Sequence, residues 1–431
     1  MSNIFFSDDA KFSTEFRNFL KARGYAKTDI SDSVSKIIDE VKIRGDQALF
    51  EYTKKFDKLD LGNSGIFLKS SEILDSIDKC KKQDREAIDL SINRILEYHQ
   101  KQMPSNVNWK DQLGIELGWV WRPIDRVGVY VPGGKASYPS SAIMNLSPAR
   151  VAGVEDIVLV SPSPNGIYNP LTLYASYRLN VTQILRLGGA QAIAALAFGT
   201  EAVQKVNKIT GPGNEYVAEA KRQVFGKVGI DSVAGPSEVL LICDKSMPKK
   251  IAAIDLLSQA EHDENAQSIL ITNDREYALE VGNEIENYLT KLKRKEIAKS
   301  SWKNFGAIVI VPNFKKGIEI ANIIAPEHLQ LCFPEAKKQL GLIKNAGSVF
   351  LGYWSPEAMG DYITGSNHIL PTAGTAKFSS ALSVFDFLKR VSVTKVNKNG
   401  FKKLGSSVVR LADSEGLQAH SLSISERLKD L

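Results

Sequence analysis

Apolar and polar positions alternate with two different periods along this chain, and the period changes after the first 121 residues. Before that point apolar residues recur at helical spacing, as in Val34, Ile37, Ile38 and Val41, with few runs typical of strands. From Val127 onward, short β-branched runs alternate with segments of helix length, which is the pattern of βαβ units and of a parallel sheet. We therefore predict a helical N-terminal region followed by α/β structure.

The predicted strands form two series, separated by the turn at Ala234-Gly235-Pro236-Ser237. The regular alternation stops after Gly352, and a loop-rich stretch of this kind is usually functional or disordered. The predicted fold class is α/β, with two incomplete Rossmann-like parallel-sheet domains, a helical N-terminal region and a C-terminal extension. The predicted divisions are 1–121 (mostly helical), 122–236 (first α/β domain), 237–352 (second α/β domain), 353–390 (loop-rich segment) and 391–431 (C-terminal element).

Composition and charge narrow the function classes. Hydrophobic residues make up 43% and charged residues 24% of the 431 positions, which is typical of globular proteins. The net charge of +6 comes from lysines scattered among acids, so nucleic-acid binding is not expected. Apolar runs such as Ala192 to Phe198 are too short to span a bilayer, and the N-terminus lacks a basic or apolar signal segment. The sequence predicts a cytoplasmic protein without a membrane segment.

The three cysteines, Cys80, Cys243 and Cys332, have no paired spacing and are predicted to be reduced thiols. Cys243 ends a strand-like run and is expected to be a small core residue. An aldehyde dehydrogenase acting through Cys243 or Cys332 is nevertheless an alternative to test.

Three glycine-rich turns follow predicted strands, at Gly133-Gly134, Gly188-Gly189 and Gly211-Pro212-Gly213. Ligands of parallel sheets bind at the carboxyl ends of strands, where glycine allows close backbone approach. The full G-x-G-x-x-G fingerprint and its ribose-binding acid are missing, however. The turns are therefore compatible with a cofactor crevice and also with simple tight loops.

Five histidines are available for metal binding or proton transfer, at positions 99, 262, 328, 368 and 420. His99 lies among polar helix formers and is expected at the surface. A predicted helix places Asp255, Gln259 and His262 on one face, where a metal could bind. By residue type alone Asp255 or Asp263 is a better zinc ligand than Gln259, because amides are uncommon in this role.

Glu327 and His328 lie between a predicted helix and a predicted strand. A carboxylate beside an imidazole can provide two separate proton acceptors if both are partly removed from water. A pair on a surface loop is the alternative. The polar clusters Gly360-Asp361-Tyr362, Gly365-Ser366-Asn367-His368 and Glu415 to His420 raise the chance of one composite site.

These motifs, in this order, resemble those of the histidinol dehydrogenase family. The segments that carry the resemblance are Gly128-Val129-Tyr130-Val131-Pro132-Gly133-Gly134, Gly211-Pro212-Gly213-Asn214, Ser237, Ser258-Gln259-Ala260-Glu261-His262-Asp263, Pro326-Glu327-His328-Leu329, Gly360-Asp361-Tyr362 and Glu415-Gly416-Leu417-Gln418-Ala419-His420. The similarity is clear from about Arg122 to His420. The first 120 residues are similar only in length and in their helical spacing of apolar residues.

The resemblance implies a role for each candidate residue. Glu327 and His328 would be catalytic, and Tyr130, Gln191 and Asn214 would contact NAD. One zinc ion per subunit would be held by Gln259, His262, Asp361 and His420. The implied contacts to L-histidinol are Ser237, Gln259, His262, His328, Asp361, Glu415 and His420. The roles of Asp255 and His368 stay open.

The reaction implied by the resemblance is the oxidation of L-histidinol to L-histidinaldehyde and then to L-histidine with two NAD molecules, the last steps of histidine biosynthesis. It also implies a homodimer in which Glu415 and His420 complete the partner's site. A zinc hydrolase that uses Glu327 to activate water is the other enzymatic alternative.

Overall fold

The computed structural model describes residues 3–21, 30–133 and 138–431, so Gly134 of the first glycine turn lies outside the described residues. The strands are β1 (Asn3–Phe6), β2 (Val107–Lys110), β3 (Glu116–Pro123), β4 (Arg126–Tyr130), β5 (Asp156–Val160), β6 (Gln183–Leu185), β7 (Lys208–Thr210), β8 (Gly229–Ile230), β9 (Glu238–Cys243), β10 (Gln267–Thr272), β11 (Ala307–Ile310), β12 (His328–Cys332), β13 (Ser348–Leu351) and β14 (Leu388–Lys395).

Helices precede, separate and follow these strands. They are α1 (Phe12–Lys21), α2 (Ser31–Arg44), α3 (Asp46–Asp57), α4 (Leu61–Ser64), α5 (Ser70–Ile77), α6 (Lys82–Gln100), α7 (Pro139–Val151), α8 (Pro170–Arg178), α9 (Gly189–Phe198), α10 (Glu215–Val224), α11 (Lys249–Ala260), α12 (Arg275–Leu289), α13 (Lys295–Phe305), α14 (Phe314–Ile324), α15 (Glu357–Tyr362), α16 (Lys398–Ser414) and α17 (Gln418–Lys429).

Two parallel sheets form the centre of the protein, and both have the strand order of the Rossmann fold without its last strand. The first sheet has the order β6-β5-β4-β7-β8, so that its strands run 3-2-1-4-5 in their own sequence. The second sheet has the order β1-β11-β10-β9-β12-β13, which repeats that pattern from β9 onward. The predicted fold class is confirmed.

The continuous apolar character of these strands follows from burial on both faces. In β9 all six residues are buried, and in β5 all but the first. Helices cover both faces of a parallel sheet, so neither face needs polar residues. This explains why the strands were recognisable as short β-branched runs.

The N-terminal region contains strands that the helical spacing of its apolar residues did not predict. Residues Asn3–Phe6 of β1 pair with Ala307–Ile310 and extend the edge of the second sheet. Strands β2 and β3 form a small antiparallel sheet with β14, in which Leu388 pairs with Pro123 and Lys395 with Glu116. The two ends of the chain thus add to sheets formed by distant segments.

His99 is fully buried, so the expectation that it lies at the surface is wrong. Its Nδ1 is 2.8 Å from the side-chain oxygen of Gln102, and its Nε2 is 3.2 Å from the amide nitrogen of Asn367. The same Asn367 nitrogen donates to the carbonyl oxygen of Met144 at 2.7 Å. These contacts attach the loop-rich segment to α7 and to the end of α6.

Within the described ranges, no helix is both long enough and apolar enough to cross a membrane.

Candidate active site

Glu327 and His328 lie at an element boundary, as predicted, and both are buried. Helix α14 ends at Ile324, the left-handed Ala325 (φ 50°) turns the chain, and β12 begins at His328. The exposed fraction is 6% for Glu327 and 3% for His328. The alternative of a surface loop pair is therefore wrong, and both groups are largely removed from water, as acid–base chemistry requires.

Both side chains are fixed by one residue of the neighbouring strand. The backbone N–H of Glu238 donates to Oε2 of Glu327 at 2.8 Å, and the carbonyl oxygen of Glu238 lies 2.9 Å from Nδ1 of His328. Since a carbonyl oxygen can only accept, Nδ1 carries the hydrogen. In the neutral ring Nε2 then has a free lone pair, and among the described residues this buried atom has no hydrogen-bond partner.

Two buried acids, Glu327 and Glu357, and the half-buried Asp361 surround His328. One ligand atom each of His328, Glu357 and Asp361 lies within 4.8 Å of the others. The Nε2 of His328 is 3.7 Å from Oδ1 of Asp361, and its Nδ1 is 3.7 Å from Oε2 of Glu327. Burying three carboxylates together is costly unless positive charge compensates for them.

The pKa values reflect this crowding. Burial raises the pKa of Glu327 to about 8, although His328 opposes the shift. Burial also raises the pKa of Glu357 to about 8. Burial lowers the pKa of His328, but Glu327, Glu357 and Asp361 outweigh it and raise that pKa to about 10. Burial opposes ionisation of Asp361, yet the facing histidines keep the pKa of its carboxyl low.

Helix α11 brings Gln259 to this cluster. The Gln259 side chain is 1% exposed, and its amide is assigned the orientation in which the nitrogen donates to Oε1 of Glu357 at 2.7 Å, because the opposite orientation would set its oxygen against the carboxylate. Asp255 instead accepts a 2.8 Å hydrogen bond from the amide of Gln330, and Asp263 lies exposed in a turn with Asn265. Of these three metal-ligand candidates, Gln259 is the one that contacts the acids beside His328.

Helix α15 carries Glu357 and Asp361 one turn apart. Gly360 allows this helix to pack closely on Phe350, because a Cβ here would lie 2.5 Å from a ring carbon. The Phe350 ring in turn stacks on His328, with 6.1 Å between ring centroids. His368 adds a further imidazole, with Nδ1 2.9 Å from the carbonyl oxygen of Asp361.

The predicted NAD contacts lie at the carboxyl edge of the first sheet. Tyr130 ends β4, and its hydroxyl accepts a 3.1 Å hydrogen bond from the N–H of Gly189. Gln191 is buried in the first turn of α9 beside Gly189, and Asn214 caps α10 by accepting from Val217 at 3.1 Å. The three side chains are thus on turns at one edge of the sheet.

The cluster around Glu327 and His328 lies at the amino edge of the second sheet, where β9 and β12 begin. The loop-rich segment crosses to this edge, because Thr372 Oγ1 accepts from the N–H of Gly235 at 2.7 Å and the N–H of Ala373 donates to Oε1 of Glu238 at 2.9 Å. Ser237 directly precedes Glu238, and His262 follows α11 at this same edge. Ligands of open α/β sheets usually bind at carboxyl ends, so this site departs from that rule.

Glu415 and His420 stand apart from the cluster. Both are exposed, Glu415 directly after α16 and His420 in the first turn of α17, and neither side chain forms a hydrogen bond or ion pair with another described residue. One chain therefore does not bring these two predicted site residues into contact with the other candidates.

Sequence reasoning missed two residues of the site, Glu238 and Glu357. The spacing of Glu357 and Asp361 by four positions places both on one helix face, and this signal was available in the sequence. Glu238 acts largely through its backbone atoms, which no residue pattern can indicate.

The chain has two parallel sheets covered by helices, glycine turns at the strand ends of the first sheet, and a buried carboxylate–imidazole pair at the edge of the second. These features are typical of an α/β enzyme. The model of the histidinol dehydrogenase family matches residues 20–428. The chain belongs to this family, and it is an oxidoreductase.

Individual relatives agree with this assignment. Histidinol dehydrogenase of Cereibacter sphaeroides is 47% identical over 420 residues, covering 97% of each chain. That of Brucella suis is 48% identical over 420 residues, covering 97% of this chain and 98% of the relative. The crystal structure of the Elizabethkingia anophelis enzyme superimposes with a TM-score of 0.93 at 36% identity and covers 100% of this chain and 98% of that one.

Proposed function

We propose that this chain oxidises L-histidinol through L-histidinaldehyde to L-histidine, with NAD accepting the electrons in each of the two steps. The observation that supports this most directly is the buried pair Glu327 and His328, aligned by the backbone of Glu238. An alcohol oxidation needs one base for the hydroxyl proton, and an aldehyde oxidation needs a second base for the water that adds to the carbonyl. The pair provides both.

His328 is the proposed base of the alcohol step. Its Nδ1–H is bound to the Glu238 carbonyl, so Nε2 is the atom that receives the proton. The bond to Glu238 also fixes the ring plane, which keeps Nε2 directed at one position. A histidine whose pKa is about 10 is protonated at neutral pH, so this role requires the surrounding acids to be compensated.

A bound cation is the proposed compensation, and the residues fit one. The amide nitrogen of Gln259 is engaged by Glu357, which leaves the Gln259 oxygen as the ligand atom, and Asp361 is ionised. Gln259 and His262 also lie at the carboxyl end of α11, where the helix dipole favours positive charge. We propose that zinc is held by Gln259, His262 and Asp361 of one subunit. The fourth proposed ligand is His420 of the partner subunit.

When bound, zinc would hold the amino and imidazole nitrogens of histidinol and offset the negative charge of the buried acids. With that charge offset, the pKa of His328 falls towards its usual range, where the ring can accept a proton. Ser237 and Glu415 are proposed to contact the substrate as well.

Glu327 is the proposed base of the aldehyde step, and its pKa gives a pH prediction. A carboxyl group accepts a proton only when ionised, so the aldehyde oxidation should accelerate as pH rises through the pKa of Glu327. That pKa is about 8 without a cation, and a bound cation lowers it. We expect kcat with histidinaldehyde to increase with pH and to level off at or below about pH 8.

The matched control for this pH profile is Glu327→Gln, which keeps the bond from the Glu238 N–H but cannot ionise. Its residual aldehyde activity should lose the rise with pH. A wild-type profile that is flat over the same range would contradict the role of Glu327.

Removal of the metal gives a second prediction. Chelation should abolish histidinol oxidation, and added zinc should restore it, because the metal would hold the substrate and all four proposed ligands are also proposed substrate contacts. Metal content measured on the same samples shows whether the enzyme is truly stripped. Full activity in verified metal-free enzyme would overturn the role of zinc.

A substitution of Glu357 tests the zinc site in a second way, through its affinity for the metal. In Glu357→Ala the amide of Gln259 loses its partner and is free to rotate, so zinc affinity should fall about 10- to 100-fold in competition with a chelator. The control is Glu319→Ala, which removes an exposed acid of α14. An equal loss of zinc affinity in this control would show that the effect of Glu357→Ala is not specific to the site.

NAD is proposed to bind at the carboxyl edge of the first sheet, in contact with Tyr130, Gln191 and Asn214. This edge carries the glycine turns that allow a nucleotide to approach the backbone. NAD would thus bind to the first α/β domain, while the second domain would supply Glu327 and His328.

Two alternatives from the sequence are less well supported. Cys243 and Cys332 are buried, and burial raises the pKa of both thiols, which is the behaviour of inert structural cysteines. A zinc hydrolase would use Glu327 but would leave the glycine turns without a purpose, and the family is one of dehydrogenases.

A homodimer with shared sites is the proposed assembly. Glu415 and His420 do not reach the site of their own chain, and the element that carries them exposes apolar residues such as Val391 (48%), Val393 (47%) and Leu411 (64%). Exposed apolar groups on one element are typical of an interface.

The expected cytoplasmic location and the absence of nucleic-acid partners stay predictions.

A further inference from the structure

A buried ion pair lies directly beneath the glycine turn that follows β7. Lys221 of α10 is 1% exposed and is among the largest fully buried side chains of the described residues. Its Nζ forms an ion pair with Oδ1 of Asp231, whose side chain is 4% exposed. Neither group has a place in the chemistry proposed above.

The pair holds both polar backbone groups of Gly211. Lys221 Nζ donates to the carbonyl oxygen of Gly211 at 3.0 Å, and the N–H of Gly211 donates to Oδ2 of Asp231 at 2.8 Å. Because the two side chains also bind each other, the three residues form a closed set of contacts. The position and the orientation of Gly211 are thereby fixed at the same time.

Gly211 is a demanding position in the backbone. Its φ of +110° is rarely adopted by other residues, and a Cβ here would collide with the carbonyl oxygen of Tyr130. The turn thus passes over the end of β4 in direct contact with Tyr130, whose hydroxyl binds the neighbouring turn at Gly189. Asn214 follows three residues later and caps the start of α10.

A direct contact of Lys221 with a phosphate is not compatible with these contacts. The Nζ is buried and is already engaged by Gly211 and Asp231. A buried ion pair is also a poor source of stability, because desolvation of both charges offsets their attraction. The geometry points instead to a role in shaping the turn.

We propose that Lys221 and Asp231 are positioning residues for NAD: they hold Gly211 so that the turn from Gly211 to Asn214 has its binding geometry before the nucleotide arrives. This inference rests on the proposed function, since it assumes that NAD binds at this edge. A turn that is already ordered loses less conformational freedom on binding, which increases affinity.

The test is the double variant Lys221→Met, Asp231→Leu, with NAD binding measured by titration calorimetry. Removing both charges avoids leaving one buried charge unpaired, so the double variant should be more stable than either single variant. Its Kd for NAD should still rise about tenfold or more, because two hydrogen bonds to Gly211 are lost. With histidinol at saturation and NAD varied, kcat should change much less than KM for NAD.

A matched control is available at the opposite edge of the same sheet. Arg126 and Asp156 form an ion pair where β4 and β5 begin, far from the glycine turns. Arg126→Met, Asp156→Leu should leave the Kd for NAD unchanged. Asp231→Asn is a second, milder variant, in which the amide nitrogen must face one of two donors, and it should show a smaller rise in Kd.

The outcomes separate this inference from the proposed function. If wild-type enzyme binds NAD and oxidises histidinol but the folded Asp231→Asn and double variants bind NAD equally well, the positioning role is wrong. If the double variant does not fold, Asp231→Asn decides alone. If wild-type enzyme does not bind NAD, the proposed function itself fails.

Discussion

Replacing His328 by Asn should reduce both oxidations by about 10²- to 10⁴-fold, the range expected for loss of a general base. The Asn amide can still donate to the carbonyl oxygen of Glu238, so the strand pairing is kept while the proton acceptor at Nε2 is lost. The measurement is single-turnover NADH formation, first with histidinol and then with histidinaldehyde as the substrate.

Glu327→Gln is the comparison variant for this prediction. It should reduce the aldehyde step by about 10²-fold and leave the alcohol step within about tenfold of wild type, because only the second oxidation needs an activated water. Equal losses of both steps in the Gln variant would contradict the division of roles. A normal alcohol step in His328→Asn would contradict the role of His328.

Mixing two inactive chains should restore activity if sites are shared between subunits. One chain carries His420→Ala, and the other carries Glu327→Ala with His328→Ala, so each is inactive as a homodimer. In a mixed dimer, the first chain contributes intact Glu327 and His328, and the second contributes an intact His420. Together they form one complete site. After random reassociation of equal amounts, activity should reach about a quarter of the wild-type value, since half of the dimers are mixed and each has one working site.

The control for this experiment mixes each inactive chain with itself under the same conditions of dissociation and reassociation. No recovery in mixtures whose mixed dimers are confirmed by mass spectrometry would show that His420 does not act in the partner's site. Recovery in a chain refolded alone would also contradict the account.

The two sheets were predictable because their strands are buried on both faces, and continuous β-branched runs such as that of β9 result from this burial. The edge strand β1 was not predictable in the same way. It is four residues long and half-exposed, and its place beside β11 depends on a segment 300 residues away in the chain.

His99 was mispredicted although its spacing contained the signal. Ile92, Ile95 and His99 follow one another at helical intervals, and all three are buried on the same face of α6. The polar residues around His99 belong to the other faces of the helix, so local polarity was the wrong guide. Its partner Asn367 comes from the loop-rich segment, which no local pattern links to α6.

Glu327 and His328 were predictable as candidate residues, but their electrostatic environment was not. The boundary position of Glu327 and His328 follows from the sequence, whereas their pKa values depend on burial and on Glu357 and Asp361 of α15. Those contacts are set by packing on Phe350 and not by spacing along the chain.

One measurement tests the central claim directly: NADH formed from L-histidinol and excess NAD by the purified, zinc-loaded enzyme, with the product identified by chromatography. We expect two NADH for each histidine formed and no accumulation of free aldehyde. One NADH with the aldehyde as final product, or no NADH at all, would contradict the account.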